Sequence, residues 1–172
     1  MLNFFQDIFT LVEINLKTRY RQTFIGFVWV IANPVLLFFV QNAILSRVLN
    51  EPREQFAIYL LTGLLPWFYL SQTAEMGCAF LNSNAHLVKN IKIHPFKFIA
   101  SLAVENFINL IWASGLIYLI LVCFYDLGFV HFLSFFICSL WILVITTLFT
   151  FTSSLLNVLF KDTKYILHFL FT

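Results

Sequence analysis

The sequence predicts an all-α membrane protein, with an amphipathic interfacial helix at the N-terminus, about four transmembrane helices and the start of a fifth. Three observations predict it. The chain of 172 residues is 61% hydrophobic and only 10% charged, against about 25% charged in an average soluble domain. Its charges are segregated, leaving four runs without Asp, Glu, Lys or Arg: 22–46, 55–74, 106–125 and 127–160, of 25, 20, 20 and 34 residues. A bilayer core takes roughly 20 helical residues, so each run can cross one. The basic residues also fall on alternate connections, as a chain threaded repeatedly through a membrane requires.

The first element, 1–18, carries polar residues Asn3, Gln6, Asp7, Thr10, Glu13 and Lys17 every three to four positions, with Phe5, Ile8, Val12 and Leu16 opposite. That period describes a helix lying in the inner membrane interface. It is not a signal peptide, since Asp7 and Glu13 interrupt it and no small-residue cleavage site follows.

The spans are placed near 24–46, 56–78, 102–125 and 130–158. The run 127–160 is too long for one crossing at 1.5 Å per residue, so part of it projects from the membrane or begins as an interfacial segment. Pro34 and Pro66 fall inside spans and predict kinks. Beyond Lys164 the sequence turns apolar again, from Tyr165 to Phe171, too few residues to span. A fifth helix begins there, and the chain reads as cut short.

Orientation follows from counting. With the N-terminus in the cytoplasm, the inner segments hold Lys17, Arg19, Arg21, Lys89, Lys92, Lys97, Lys161 and Lys164, and the outer ones only Arg47 and Arg53. Eight against two satisfies the positive-inside rule. Tyr59 and Tyr125 then fall near the outer interface, Tyr20 and Tyr165 near the inner. Cys78, Cys123 and Cys138 have no paired spacing and read as small packing residues.

The cytoplasmic connection 80–98 is basic and free of acids. Asn82, Ser83 or Asn84 can cap a short helix there, and Pro95 is expected to end it. Such a helix is a handle for a soluble partner or merely a connector whose lysines set topology, and the residues leave both open. Glu75 and Glu105 are carboxylates inside spans, which points to a functional role, yet both lie within about two turns of this loop, where pairing with its lysines or snorkelling can satisfy them.

Three polar stripes run along the spans. Trp29, Asn33 and Gln41 share a face of the first, Glu105, Asn109 and Trp112 a face of the third, and Thr146, Thr150, Ser154 and Asn157 a face of the fourth. Stripes of this kind line a polar route or hold helices together. His86, His94, His131 and His168 show no metal-ligand spacing, and there is no phosphate-binding loop or nucleophile elbow.

Four blocks carry a family resemblance. Arg19, Tyr20, Arg21, Thr23, Gly26 and Trp29 are similar to an RYRxTxLGxxW signature, followed by Asn33-Pro34. Gly63, Pro66 and Trp67 form the second block, Asn84 to Lys92 the third, and Asn157, Lys161, Asp162 and Tyr165 the fourth. Together they resemble the permease subunits of type-2 ATP-binding-cassette exporters of bacterial polysaccharide, such as O-antigen, capsule or teichoic-acid-like glycans. The resemblance implies a single ABC-2-type transmembrane domain over 1–172, lacking its last spans, in the bacterial inner membrane. It implies a coupling helix in the 80–98 loop, with Asn84, His86, Leu87, Lys89, Asn90 and Lys92 docking on a separate ATPase subunit. Trp29, Asn33, Gln41, Glu105, Asn109 and Trp112 become the possible translocation path. It further implies a homodimer of permeases, a lipid-linked glycan as substrate, and no directly bound cofactor, ATP being held by the partner. The chain departs from the family in having Ile93-His94 before Pro95 and in stopping early. The alternatives are a membrane-embedded transferase acting on lipid-linked sugars, with His86 or His94 as base, and an inactive permease fragment.

Overall fold

The structure, a computed structural model, describes residues 2–20, 24–49, 53–83, 94–125 and 129–171. Among them six helices and no strand occur: α1 (Leu2–Tyr20), α2 (Phe24–Leu49), α3 (Arg53–Ser83), α4 (Pro95–Tyr125), α5 (Phe129–Leu159) and α6 (Thr163–Phe171). An isolated strand edge has no partner in hydrocarbon, whereas a helix satisfies its own backbone. The thinly charged runs therefore fold as helices.

α2, α3 and α4 are longer than the charge-free runs that announced them, and α5 is slightly shorter than its run. α3, α4 and α5 each have 31 residues, about 46 Å at the helical rise, against roughly 30 Å of hydrocarbon. For α5 one expectation is sharpened: residues 129–159 of the long run form a single continuous helix. α3 and α4 extend into the connection expected at 80–98, so that only 84–94 lies between them. Pro95 is the first residue of α4, where its missing N–H costs nothing. His94 precedes it as a cap, its carbonyl accepting from Lys97 N at 2.9 Å and its Nδ1 accepting from Phe96 N at 3.2 Å. The short helix proposed before Pro95 lies outside the described residues. α2 and α3 continue through Pro34 and Pro66.

Among the described residues two stretches, Pro95–Ile120 and Leu133–Leu159, are long and apolar enough to cross a membrane, with mean hydropathies of 1.4 and 2.2, and Pro34–Val48 is a shorter apolar stretch. A soluble protein's core helix would be mostly buried, but only 22% of the α5 stretch is. Leu133, Ile137, Trp141, Val144, Ile145 and Leu148 all stand exposed on it. So much contiguous apolar surface needs lipid or another chain to cover it.

α3 is the hub, packing against α2, α4, α5 and α6. Phe38 from α2, Leu60, Leu65 and Tyr69 from α3, and Phe107 and Ile117 from α4 form the main core. α1 lies on α4, where Ile8 and Val12 are buried with Ala100, flanked by Phe4, Leu16, Phe96 and Val104. Ile8, Val12 and Leu16 occupy the apolar face that the sequence predicts, but Phe5 does not: it is exposed, as is Phe9, while Phe4 packs inward. α1 therefore carries two apolar strips, one spent on α4 and one left for the surroundings. At one edge Asp7 accepts from Lys97 Nζ at 2.6 Å, with the Lys97 ammonium also lying 5.2 Å from the Phe4 ring centre.

Candidate functional site

The polar residues of the spans sort into three places. The first is a cleft between α2, α3 and α4, lined by Pro34, Phe68, Tyr69, Gln72, Asn106 and Asn109 among others. Helical geometry explains the set: 69, 72 and 73 lie on one side of α3, and 106, 109 and 110 on the facing side of α4. Tyr69 donates its hydroxyl to the Ala103 carbonyl at 3.1 Å, and Asn106 Nδ2 donates to Thr73 Oγ1 at 3.2 Å. These bonds hold the cleft's inner wall rigid, while the exposed Gln72 stays at its mouth.

The predicted path residues do not form one lining. Asn109 reaches the cleft, Glu105 is buried at 3% exposure, and Trp112, one turn further on, is turned outward at 57%. Gln41 is half-buried on α2. The side chains of Trp29 and Asn33 lie outside the described residues. So do Asn84, His86, Leu87, Lys89, Asn90 and Lys92, the whole expected coupling set. Sequence reasoning passed over Tyr69, Gln72 and Asn106. Their signal was available, since Gln72 and Asn106 are polar residues at the two ends of charge-free runs.

The second place is the seam between α3 and α5, the most extensive helix contact. Thr146, Thr150 and Ser154 are fully buried there, and Asn157 nearly so. These residues are buried in a helix contact, with no hydrogen-bond partner for the Thr146, Thr150 and Ser154 hydroxyls among the described residues. Small residues let the backbones approach, and the asparagines clasp the end of the seam reciprocally. Asn82 Nδ2 donates to the Asn157 carbonyl and Asn157 Nδ2 to the Cys78 carbonyl, each at 3.0 Å. Cys78 Sγ adds a contact of 3.7 Å to the Ser153 carbonyl.

The third place is the far side of α3, where Glu75 meets α6. Glu75 was expected to pair with lysines of the connecting loop; among the described residues its Oε1 instead lies 3.2 Å from His168 Nδ1. Trp67 and Phe149 make edge-on ring contacts with Phe171, at 5.5 and 6.2 Å between centres. α6 is thereby folded back against α3 and α5, with Leu167 buried.

This arrangement, long apolar helices around a central one with an amphipathic helix laid on the side, defines a membrane-type helical protein, and sequence comparison narrows it. No family model matches the chain. Yet 165 residues, 96% of this chain, align at 26% identity with an O-antigen export system permease protein RfbA of Myxococcus xanthus, covering 64% of that protein. A protein of the same description from Klebsiella pneumoniae is 27% identical over 85 residues, 49% of this chain and 33% of its own. The polysialic acid transport protein KpsM of Escherichia coli is 26% identical over 109 residues, 62% of this chain and 42% of its own. The chain spans less than two thirds of the length of each of these relatives. It is similar to type-2 ATP-binding-cassette permeases for polysaccharide export, as the sequence blocks indicated, and these relatives are named for transport rather than for catalysis.

Proposed function

We propose that the chain is the membrane permease subunit of an ATP-binding-cassette exporter that moves a lipid-linked polysaccharide across the bacterial inner membrane. The single observation that carries this reading is the alignment with an O-antigen export permease along 96% of the chain. The fold supports it: α1 lies on the side of the bundle as an interfacial helix would, and the apolar face of α5 awaits lipid or a second copy. In this reading two permeases and two ATPases form the unit, and four helices, α2 to α5, cross the membrane with the N-terminus inside. The loop 84–93 docks on the ATPase, which holds the nucleotide; the permease binds none. ATP-driven closure of the partner then reaches the helices as a rigid-body push. The cleft holding Gln72 and Asn109 borders the route of the glycan.

Deleting the gene should abolish the surface glycan, and the gene as it exists should restore it; unchanged glycan after deletion would refute the exporter reading. A variant carrying Lys89→Glu and Lys92→Glu should co-purify at least about tenfold less of the ATPase. Reversing two charges at an interface penalises docking, whereas a solvated loop tolerates the change. Normal recovery of the ATPase would remove the loop from the coupling role. Orientation is checked in the same preparation, because those lysines also set topology.

A further inference from the structure

Where α5 ends and α6 begins, the turn Phe160–Asp162 faces the end of α3 across an open recess of about 520 Å³. Ala79, Asn82 and Ser83 form one wall, and Asn157, Lys161 and Lys164 the other. We propose that this recess binds the phosphate of a lipid headgroup at the membrane surface. The proposal needs only that the chain is embedded in a bilayer; it is independent of what is exported.

Charge comes first. Lys161 and Lys164 line one recess, and among the described residues neither ammonium forms a salt bridge. The Asp162 carboxylate stands between them in sequence but forms no salt bridge with either, while its backbone carbonyl starts α6 by accepting from Tyr165 N and Ile166 N. The turn therefore keeps an excess positive charge facing the gap, and the N-terminal end of α6 adds to it. Two ammoniums on one wall attract a phosphate, and a basic recess between helices at the bilayer surface suits an anionic headgroup.

Depth comes second. The Lys164 ammonium lies 4.6 Å from the ring centre of Tyr165, which is exposed. A tyrosine with its ring in the headgroup zone and a cation on its face is an interfacial anchor. It places the charge where headgroup phosphates reside rather than in open water. Phe160 and Ile166, both exposed beside the turn, supply the apolar contact that acyl chains require.

Polar complementarity comes third. Asn157 is 3% exposed, its Nδ2 is committed to the Cys78 carbonyl, and its Oδ1 is buried without a partner. An unpaired buried acceptor is costly, and this one belongs to a residue of the recess wall. That oxygen is sealed from solvent beneath the recess surface, so the hydroxyl within reach of a headgroup is that of Ser83, which lines the same gap. Ser83, now bonded to the Ala79 and Phe80 carbonyls at 3.0 Å each, can turn its hydroxyl to a phosphate oxygen.

The test is native mass spectrometry of the full chain released from nanodiscs of equal phosphatidylcholine and phosphatidylglycerol. Wild type should retain phosphatidylglycerol selectively. A Lys161→Gln, Lys164→Gln chain should retain about tenfold less, while Lys161→Arg with Lys164→Arg should keep it, and Lys17→Gln should change nothing. Persistence of the lipid under millimolar inorganic diphosphate supports a lipid-borne phosphate; displacement supports recognition of the phosphate itself, whichever molecule carries it. Equal retention by the Gln pair and wild type, or no preference between the two lipids, overturns the site. Unaltered helicity and elution of the Gln pair exclude misfolding, and the Arg pair provides the same control independently.

Discussion

Gly77→Ala is expected to loosen the bundle out of proportion to one methyl group. A Cβ built on Gly77 falls 2.0 Å from Thr150 Cγ2 and 3.4 Å from Leu102 Cδ2. Thr150 has little room to escape: it is fully buried, and a β-branched side chain in a helix has few χ1 rotamers to choose from. α3 and α5 must therefore move apart where Gly77 faces Thr150. Overpacking of this kind costs about 1–3 kcal/mol, and loss of the surrounding small-residue contacts adds to it. The thermal stability of the detergent-solubilised chain, read as loss of the monodisperse peak, should fall clearly. Thr150→Ser removes the clashing methyl and should recover most of the loss in the double variant. An equal fall with and without Thr150→Ser would show that Gly77 acts through something other than this contact.

Lys97→Glu should release α1. The Lys97–Asp7 pair is 2.6 Å long, with Lys97 at 17% and Asp7 at 40% side-chain exposure. Its half-buried setting places it between exposed pairs worth under about 1 kcal/mol and buried ones whose disruption costs about 3–5 kcal/mol. Reversal does more than delete the bond. It sets two carboxylates together beside the Phe4 ring and strips the ring of its cation. Faster proteolytic clipping within 2–20 should report the release, and Asp7→Lys combined with Lys97→Glu should reverse it. By contrast, the Glu13–Lys17 pair on the same helix is fully solvent-facing; the Lys17 ammonium holds the Glu13 carboxyl below its ordinary range. Breaking that pair should leave α1 in place. On the proposed function the Lys97 latch matters because it sits at the start of α4, directly after the loop that receives the ATPase, so that α1 and α4 move together.

Much of this was legible in the sequence because membranes write in a coarse alphabet. The absence of charge over twenty or more residues predicts a helix without knowledge of its neighbours, and each of α2 to α5 covers most or all of the run that announced it. The apolar face of α1 was visible at Ile8, Val12 and Leu16 for the same reason. What was hidden depends on which helix meets which. Periodicity places Thr146, Thr150 and Ser154 on one face but cannot say that α3, with Gly77 at the contact, covers that face. Likewise Glu75 has several possible partners along the chain, and only the folding back of α6 brings His168 to it. Phe4 and Phe5 differ by 100° around α1, and which of them packs inward depends on how the helix lies on α4. The polar wall made by Tyr69, Gln72 and Asn106 is likewise a product of two helices, and neither stripe alone declares it.

The proposed function requires that the ends of α3 and α4 face the cytoplasm, where an ATPase can reach the loop between them. Ser83→Cys, at the exposed end of α3, places a single reactive thiol there once Cys78, Cys123 and Cys138 are replaced by alanine. A membrane-impermeant maleimide should label it in inverted inner-membrane vesicles and leave it untouched in spheroplasts with intact membranes. Labelling from the outer side would contradict the orientation, and with it the permease reading of the chain.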